Sequence, residues 1–368
     1  MLVAAMLRPE QREDRQLEVV RRPIEQRSDV TELPVGQTER AVEGLVGNSS
    51  QGSMVSPGED DPVTGASHRS LHRYVAGEMS RRHLLMLLAL AAIWGASFMF
   101  IKVAVRELEP IAVVWLRIAL AAVVLVPAAL LTLGRQAIDE FRRALGRLTV
   151  MALVNSAVPF LLLAWAETKL DAGLAGILQA AAPLFTVLIL TRFGSDRVTG
   201  ARLAGVVLGF VGVALLVGAH TGGDLLAALA VVGTAACYAS AGVFGAHQLR
   251  DTHPFVVGAG SMVIATVLVA PFGIPSLPAH MIGGKELGSV LVLGLVCTGV
   301  AYMVFFALLR GAGAARSILV TYLVPSAALV YAVVLLGEQV RVTALVGLAL
   351  ILGGVALGAQ RRRDRVTT

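Results

Sequence analysis

The sequence predicts an all-α membrane protein: ten transmembrane helices in two inverted five-helix repeats, with both termini cytoplasmic. Three observations predict it. Apolar runs of about 20 residues, the length that crosses roughly 30 Å of hydrocarbon, recur from Leu84 onward. The chain repeats itself: Val154–Leu215 returns 142 positions later as Val296–Leu357, which places Pro183 on Pro325, Asp196 on Glu338, Gly205 on Gly347 and Gly212 on Gly354. Lys and Arg fall unevenly on the connections, and that asymmetry sets orientation.

The bulk numbers agree. Of 368 residues 56% are hydrophobic and only 15% charged, against about 25% charged in a soluble domain. Residues 1–80 hold 9 Lys/Arg and 13 Asp/Glu, net −4, whereas 81–368 hold 22 and 12, net +10. A polar tail thus precedes a membrane body. The basic residues flank apolar runs, so they read as orientation signals and not as a nucleic-acid surface. Cys237 and Cys297 both lie inside apolar runs and read as packing residues, with no disulfide framework.

In chain order, residues 1–80 carry too little apolar surface to offset the entropy of ordering. Met79-Ser80-Arg81-Arg82-His83, followed at once by an apolar run, also reads as a start of its own, which would make the upstream tail a misassigned leader. The first repeat, 84–219, contains spans 84–104, 111–132, 148–168, 172–192 and 202–219. The second, 225–360, contains 225–246, 255–273, 287–309, 315–335 and 341–360, and a basic tail, 361–368, follows. A second register, offset by 144, relates the opening spans: Trp94 to Tyr238, Phe100 to Phe244, Pro110 to Pro254. Strands are excluded because the runs lack period-two alternation and an open sheet cannot satisfy its backbone in lipid. With the first span starting in the cytoplasm, 16 Lys/Arg fall inside and 5 outside. Five spans is an odd number, so the second repeat enters from the opposite side, an arrangement found in transporters.

At this point the residues resemble the drug/metabolite transporter superfamily, in its ten-helix EamA-type branch. The resemblance rests on Ala92-Ile93-Trp94-Gly95-Ala96-Ser97-Phe98, Pro110, Arg117, Pro183, Asp196-Arg197-Val198-Thr199 and the recurrence Gly337-Glu338-Gln339-Val340, over residues 84–360. It implies an exporter, or less often an importer or exchanger, of small metabolites such as amino acids; the inverted repeats add alternating access, the lack of a mid-span carboxylate points to neutral or zwitterionic solutes over cations, and composition rich in Ala, Val, Gly and Arg suggests a bacterial cytoplasmic (inner) membrane. It also implies a central cavity lined by spans one, three, four, six, eight and nine, with spans five and ten as outer supports. The halves are chemically unequal, since Arg117 has Ser261 as its counterpart and Trp94 has Tyr238.

The candidate substrate residues are the polar and aromatic ones inside the spans: Trp94, Arg117, Asn155, Gln179, Tyr238, Thr298, Tyr302, Thr321 and Tyr322. A small-molecule site needs a few convergent polar groups in an apolar cavity. The plainer reading is that such groups bond across helices. Arg117 either captures a substrate carboxylate or meets carbonyls or a loop acid such as Glu107 or Glu109. Lys102 reads as an interfacial anchor. Pro183 and Pro325, at matched depths, read as kinks that free a backbone carbonyl. Gly205/Gly209 and Gly354/Gly358 read as small-residue packing pairs.

The carboxylates Glu167, Asp171, Asp196, Asp224, Glu286 and Glu338 all fall at helix ends or in loops, so proton coupling through a buried acid is not expected. No metal or cofactor is implied; the partners are a small-molecule substrate and the lipid bilayer, with no nucleic acid, and monomer and homodimer both stay open. The alternatives to transport are a membrane-embedded enzyme, for which no HExxH, Cys/His cluster or Ser/His/Asp set lies in the spans, and a non-transporting scaffold with a solid core.

Overall fold

The computed structural model describes residues 79–193, 200–220 and 224–358, and among them every regular element is helical. The polar tail, apart from Met79 and Ser80, lies outside the described residues, as do Asp196-Arg197-Val198-Thr199 and the basic tail. The first half comprises α1 (Arg81–Ala104), α2 (Pro110–Leu133), α3 (Arg135–Ala152), a π-helical turn (Leu153–Ala157), α4 (Val158–Glu167), α5 (Ala172–Gln179), α6 (Ala182–Phe193) and α7 (Gly200–His220). The second comprises α8 (Leu225–Gln248), α9 (Pro254–Gly273), α10 (Gly284–Leu291), a second π-helical stretch (Val292–Val300), α11 (Ala301–Ala312), α12 (Ala314–Ser317), α13 (Val320–Leu336) and α14 (Val342–Gly358).

Local chemistry sets these boundaries. Pro110 and Pro254 open α2 and α9 after the extended residues Glu109 and His253, because proline suits the first helical position and pushes its predecessor out of the α region. Gly134, Gly313 and Gly337 take φ of 57°, 81° and 70°, which ends α2, α11 and α13. The Ser80 side chain caps α1 at the His83 N–H.

Two boundaries differ from expectation. α3 begins at Arg135, ahead of the predicted start at 148, because 135–147 is amphipathic: Ala137 and Ala144 are buried while Arg142, Arg143 and Arg147 are exposed. The runs predicted at 172–192 and 315–335 are each broken, at Ala180–Ala181 and at Ile318–Leu319. Seven stretches among the described residues are long and apolar enough to cross a membrane: 81–104, 110–133, 135–167, 172–192, 225–248, 254–273 and 284–312. The apolar helices 202–218, 320–336 and 342–357 are shorter.

The halves interleave instead of standing apart. α1 packs on α13 as α8 packs on α6; α2 packs on the second π stretch as α9 packs on α3; and the counterparts α2 with α9 and α7 with α14 pair with each other. Exchanging the halves leaves this list unchanged, as a twofold relation requires. α7 and α14 run antiparallel. On α7 and α14, a Cβ at Gly354 would meet the Gly205 carbonyl and Gly209, whereas one at Gly212 would meet the Gly347 carbonyl and Leu350. The expected glycine packing is thus present at Gly205, Gly209 and Gly354. The connections are tied in the same exchanged pattern. Glu107 accepts the Gly283 N–H at 2.7 Å, and Glu140 accepts the His253 N–H at 2.8 Å.

Candidate functional site

Arg117 lies seven residues into α2, about 10 Å along the axis from Pro110. Only 6% of it is exposed. Its Nε donates to Thr298 Oγ1 at 2.9 Å, and its guanidinium carbon sits 3.8 Å from the centre of the Phe160 ring. A hydrogen bond and an aromatic face offset part of the cost of burying the cation. Neither Glu107 nor Glu109 pairs with it: Glu107 holds the Gly283 amide, and the Glu109 side chain makes no capping bond. Arg117 also interacts electrostatically with Tyr238, Cys297, Tyr302 and Glu167.

The two π-helical stretches position its surroundings. An extra residue per turn interrupts the regular ladder, and such bulges recur at functional sites. Thr298 uses the interruption: its Oγ1 donates to Leu293 O, five residues back, at 2.8 Å, and its lone pairs receive Arg117. Asn155 sits in the first bulge, and its Nδ2 donates to Tyr302 Oη at 2.7 Å. Of the predicted residues, Arg117 and Thr298 therefore form one bonded pair and Asn155 and Tyr302 another, each joining the two halves, while Tyr238 packs partly buried against the core from α8. Trp94 stands at the aromatic row that includes Tyr302, with ring centres 5.5 Å from Phe305, while Phe305 and Phe306 are 6.0 Å apart and Tyr302 and Phe306 5.6 Å apart.

The remaining candidates divide. Gln179 ends α5, and its Oε1 is buried without a partner. Thr321 bonds back to Ile318 O at 2.7 Å, at the break before α13, and Tyr322 packs half-buried against the core. Pro183 occupies the first turn of α6, directly after the break at Ala180–Ala181. Pro325 lies inside the continuous helix α13, and the nearby break falls earlier, at Ile318–Leu319. The two prolines share a register but not a local geometry.

Sequence reasoning missed several residues. Phe160 carries no signal of its own. Ser156, buried with an unpartnered Oγ, is reachable through the repeat, since the 142-residue offset places it on Thr298. Lys102, expected at the interface, donates its Nζ to Glu167 O and Leu170 O, both at 2.8 Å, and so caps α4. Glu338 links the halves, its carboxylate accepting the Ala172 and Gly173 N–H groups at 2.8 and 2.9 Å.

Close packing, and not the central cavity expected between the halves, surrounds Arg117 directly. Arg117, Ser156 and Thr298 are packed in. Gly95 approaches Ala327 and Ala328, Gly176 approaches Ala328, and Gly294 approaches Leu120 so closely that a Cβ has no room. Two concavities lie elsewhere: an apolar groove along α7 lined by Leu203, Val207 and Val211, and a pocket of about 20 Å³, room for a single water, beside Glu338 and Gly173.

The family model described as the EamA-like transporter family matches residues 81–218 and 225–359. The chain belongs to this family. Its EamA match therefore falls twice, once on each half. A probable terminal-alkyne amino-acid exporter of Streptantibioticus cattleyicolor is 31% identical over 55% of this chain and 69% of its own length. A probable amino-acid metabolite efflux pump of Salmonella typhimurium is 27% identical over 78% and 98%. An uncharacterized transporter of Archaeoglobus fulgidus is 26% identical over 76% and 99%. This EamA protein is a multi-pass membrane transporter and not an enzyme.

Proposed function

We propose that the protein is a secondary transporter that moves small amino-acid-like solutes outward across a bacterial cytoplasmic membrane by alternating access. Ten spans in two inverted five-span repeats, with both termini cytoplasmic, form its frame, and the antiparallel packing of α7 on α14 supports that reading. The three shorter apolar helices complete the count. One observation carries the substrate class: a buried arginine between the halves whose nearest groups are neutral. Nε is engaged by Thr298, and the Nη edge carries no hydrogen bond among the described residues. Such an edge takes a carboxylate in a two-point geometry. The buried acceptors Gln179 Oε1, Ser156 Oγ and Ser261 Oγ have no protein partner, and a polar solute or water satisfies them. The two amino-acid exporters among the relatives point to the same class.

The test is counterflow in proteoliposomes with radiolabelled L-amino acids against their carboxamides. Wild type is expected to exchange the acids and ignore the amides. Arg117→Gln is expected to lose at least tenfold in rate, and Arg117→Lys, which keeps charge without the planar fork, to lose less. Equal exchange of acids and amides, or unchanged exchange in Arg117→Gln, overturns the assignment.

A further inference from the structure

Glu167 is the last residue of α4 and, as the sequence indicates, ends its helix; yet none of its surface is exposed. Neither carboxyl oxygen has a hydrogen-bond partner of good geometry, the Lys102 backbone N–H making only a loose approach. The nearest formal cation, Lys102, spends two bonds on backbone carbonyls, one of them that of Glu167 itself. Among the described residues the charged groups acting on Glu167 are Lys102 from α1, Arg117 from α2 and Glu338 from the α13–α14 connection. Phe160, under the Arg117 guanidinium, precedes Glu167 by seven residues, two turns along one face of α4. An acid buried without partners is unfavourable as an anion, and a bound proton removes that penalty.

We propose that Glu167 is a proton-binding site linked to carboxylate binding at Arg117, so that a bound proton tightens the hold on a substrate carboxylate and the reverse. The balance is simple. The Glu167 carboxylate gains one proton from water and becomes a neutral acid. The field that it set against the Arg117 cation disappears, and the cation attracts the substrate carboxylate more strongly. Release of either ligand weakens the hold on the other, since coupling between two sites is reciprocal. The coupling makes substrate affinity depend on pH without fixing one proton to each solute, and the outward direction does not rest on it. At a separation of about 10 Å and an effective dielectric near 20, the coupling amounts to roughly tenfold in affinity. The inference rests on the Arg117 reading, so its test has an arm that needs no substrate.

That arm is an infrared titration of the carboxyl C=O stretch in the reconstituted full chain. The expected result is a band that titrates in wild type, is absent in Glu167→Gln, and has a moved midpoint in Arg117→Gln. The second arm is counterflow of L-threonine, L-homoserine and L-cysteine as a function of pH. Wild type is expected to bind these about tenfold more tightly at the acid end. Glu167→Gln is expected to hold the tight value at every pH, and Glu167→Asp to keep the dependence. A missing band in wild type, a midpoint indifferent to Arg117, or wild-type pH dependence in Glu167→Gln overturns the proposal. If the band behaves as expected but no probe is exchanged, the substrate assignment fails while the proton site stands.

Discussion

Removing the Glu338 carboxylate should open the seam between α5 and α13. Both oxygens are occupied, by the Ala172 and Gly173 amides at 2.8 and 2.9 Å, and those amides begin α5 in the other half of the chain. Ala172 and Gly173 are buried, so their N–H groups lose a partner that water does not readily replace. A hydrogen bond to a charged acceptor contributes about 1.5–3 kcal/mol. Glu338 itself is partly exposed, which places both bonds at the low end. Glu338→Ala should therefore shift the seam by about 3 kcal/mol, roughly a hundredfold in the open-to-closed ratio, and Glu338→Gln, which keeps one acceptor, by roughly tenfold. The reporter is Ala332→Cys in a background with Cys237 and Cys297 replaced by Ala. Ala332 is 1% exposed and borders the small pocket beside Glu338. Its labelling rate by a membrane-impermeant maleimide should rise by those factors. Rates within threefold of the parent in Glu338→Ala would refute the reasoning, and so would a loss of melting temperature without faster labelling, which would make Glu338 a fold contact and not a latch.

Other perturbations follow from particular contacts. Gly354→Val drives a side chain into the backbone of Gly205 and Gly209, whereas Gly218→Val enters open space; the first should lower detergent stability by about 1–3 kcal/mol and the second should leave the melting curve in place. Asn155→Ala and Tyr302→Phe should show a coupling of about 1 kcal/mol in a double-mutant cycle, because each removes the same 2.7 Å bond. Lys102→Met strips two carbonyls at the end of α4 of their donor and should speed backbone exchange at residues 166–170, read by hydrogen–deuterium exchange, while the far end of α3 stays unchanged.

How much of this was legible in the residues varies with the range of the interaction. Helix positions follow from composition over 20 residues, and the glycine pairs on α7 and α14 follow from spacing. The start of α3 was hidden because a hydropathy criterion stops at charge, although Arg142, Arg143 and Arg147 leave the apolar stripe of the helix intact. The π-helical stretches have no compositional mark. Their positions correspond through the repeat, since Leu153–Ala157 falls inside the counterpart of Val292–Val300, but that only becomes visible once one of them is seen. Arg117 was identified as a residue needing a partner, while its partner Thr298 stands 181 positions away on another helix. Glu167 was misjudged for a similar reason. Position at a helix end suggests access to water, but Glu167 is fully buried, and α4 packs on α8, α2 and α1, none of which is near in sequence.

The exchanged packing pattern has a consequence for direction. Two halves built alike and packed antiparallel can reach each other's arrangement by rocking, and a fully symmetric pair would hold the inward and outward states at equal free energy. This chain is unequal where it matters. Arg117 faces Ser261 across the relation, Trp94 faces Tyr238, and Ser156, unpartnered, faces Thr298, which is doubly bonded. The Glu338 carboxylate clasps α5 on one side. Frame and bias are thus separable: substitutions on the glycine seam should change how readily the halves hold together, and substitutions at Arg117, Glu167 or Glu338 should change which state is populated without altering the fold. A variant with Arg117 moved to the matched position, Arg117→Ser together with Ser261→Arg, tests that division. Its melting temperature should fall, because Ser261 is 2% exposed and a buried arginine there lacks the Thr298 and Phe160 contacts of Arg117, so labelling is read below the new transition. The side from which Ala332→Cys is labelled fastest should stay the same if the clasp sets the bias, and should invert if the buried cation does.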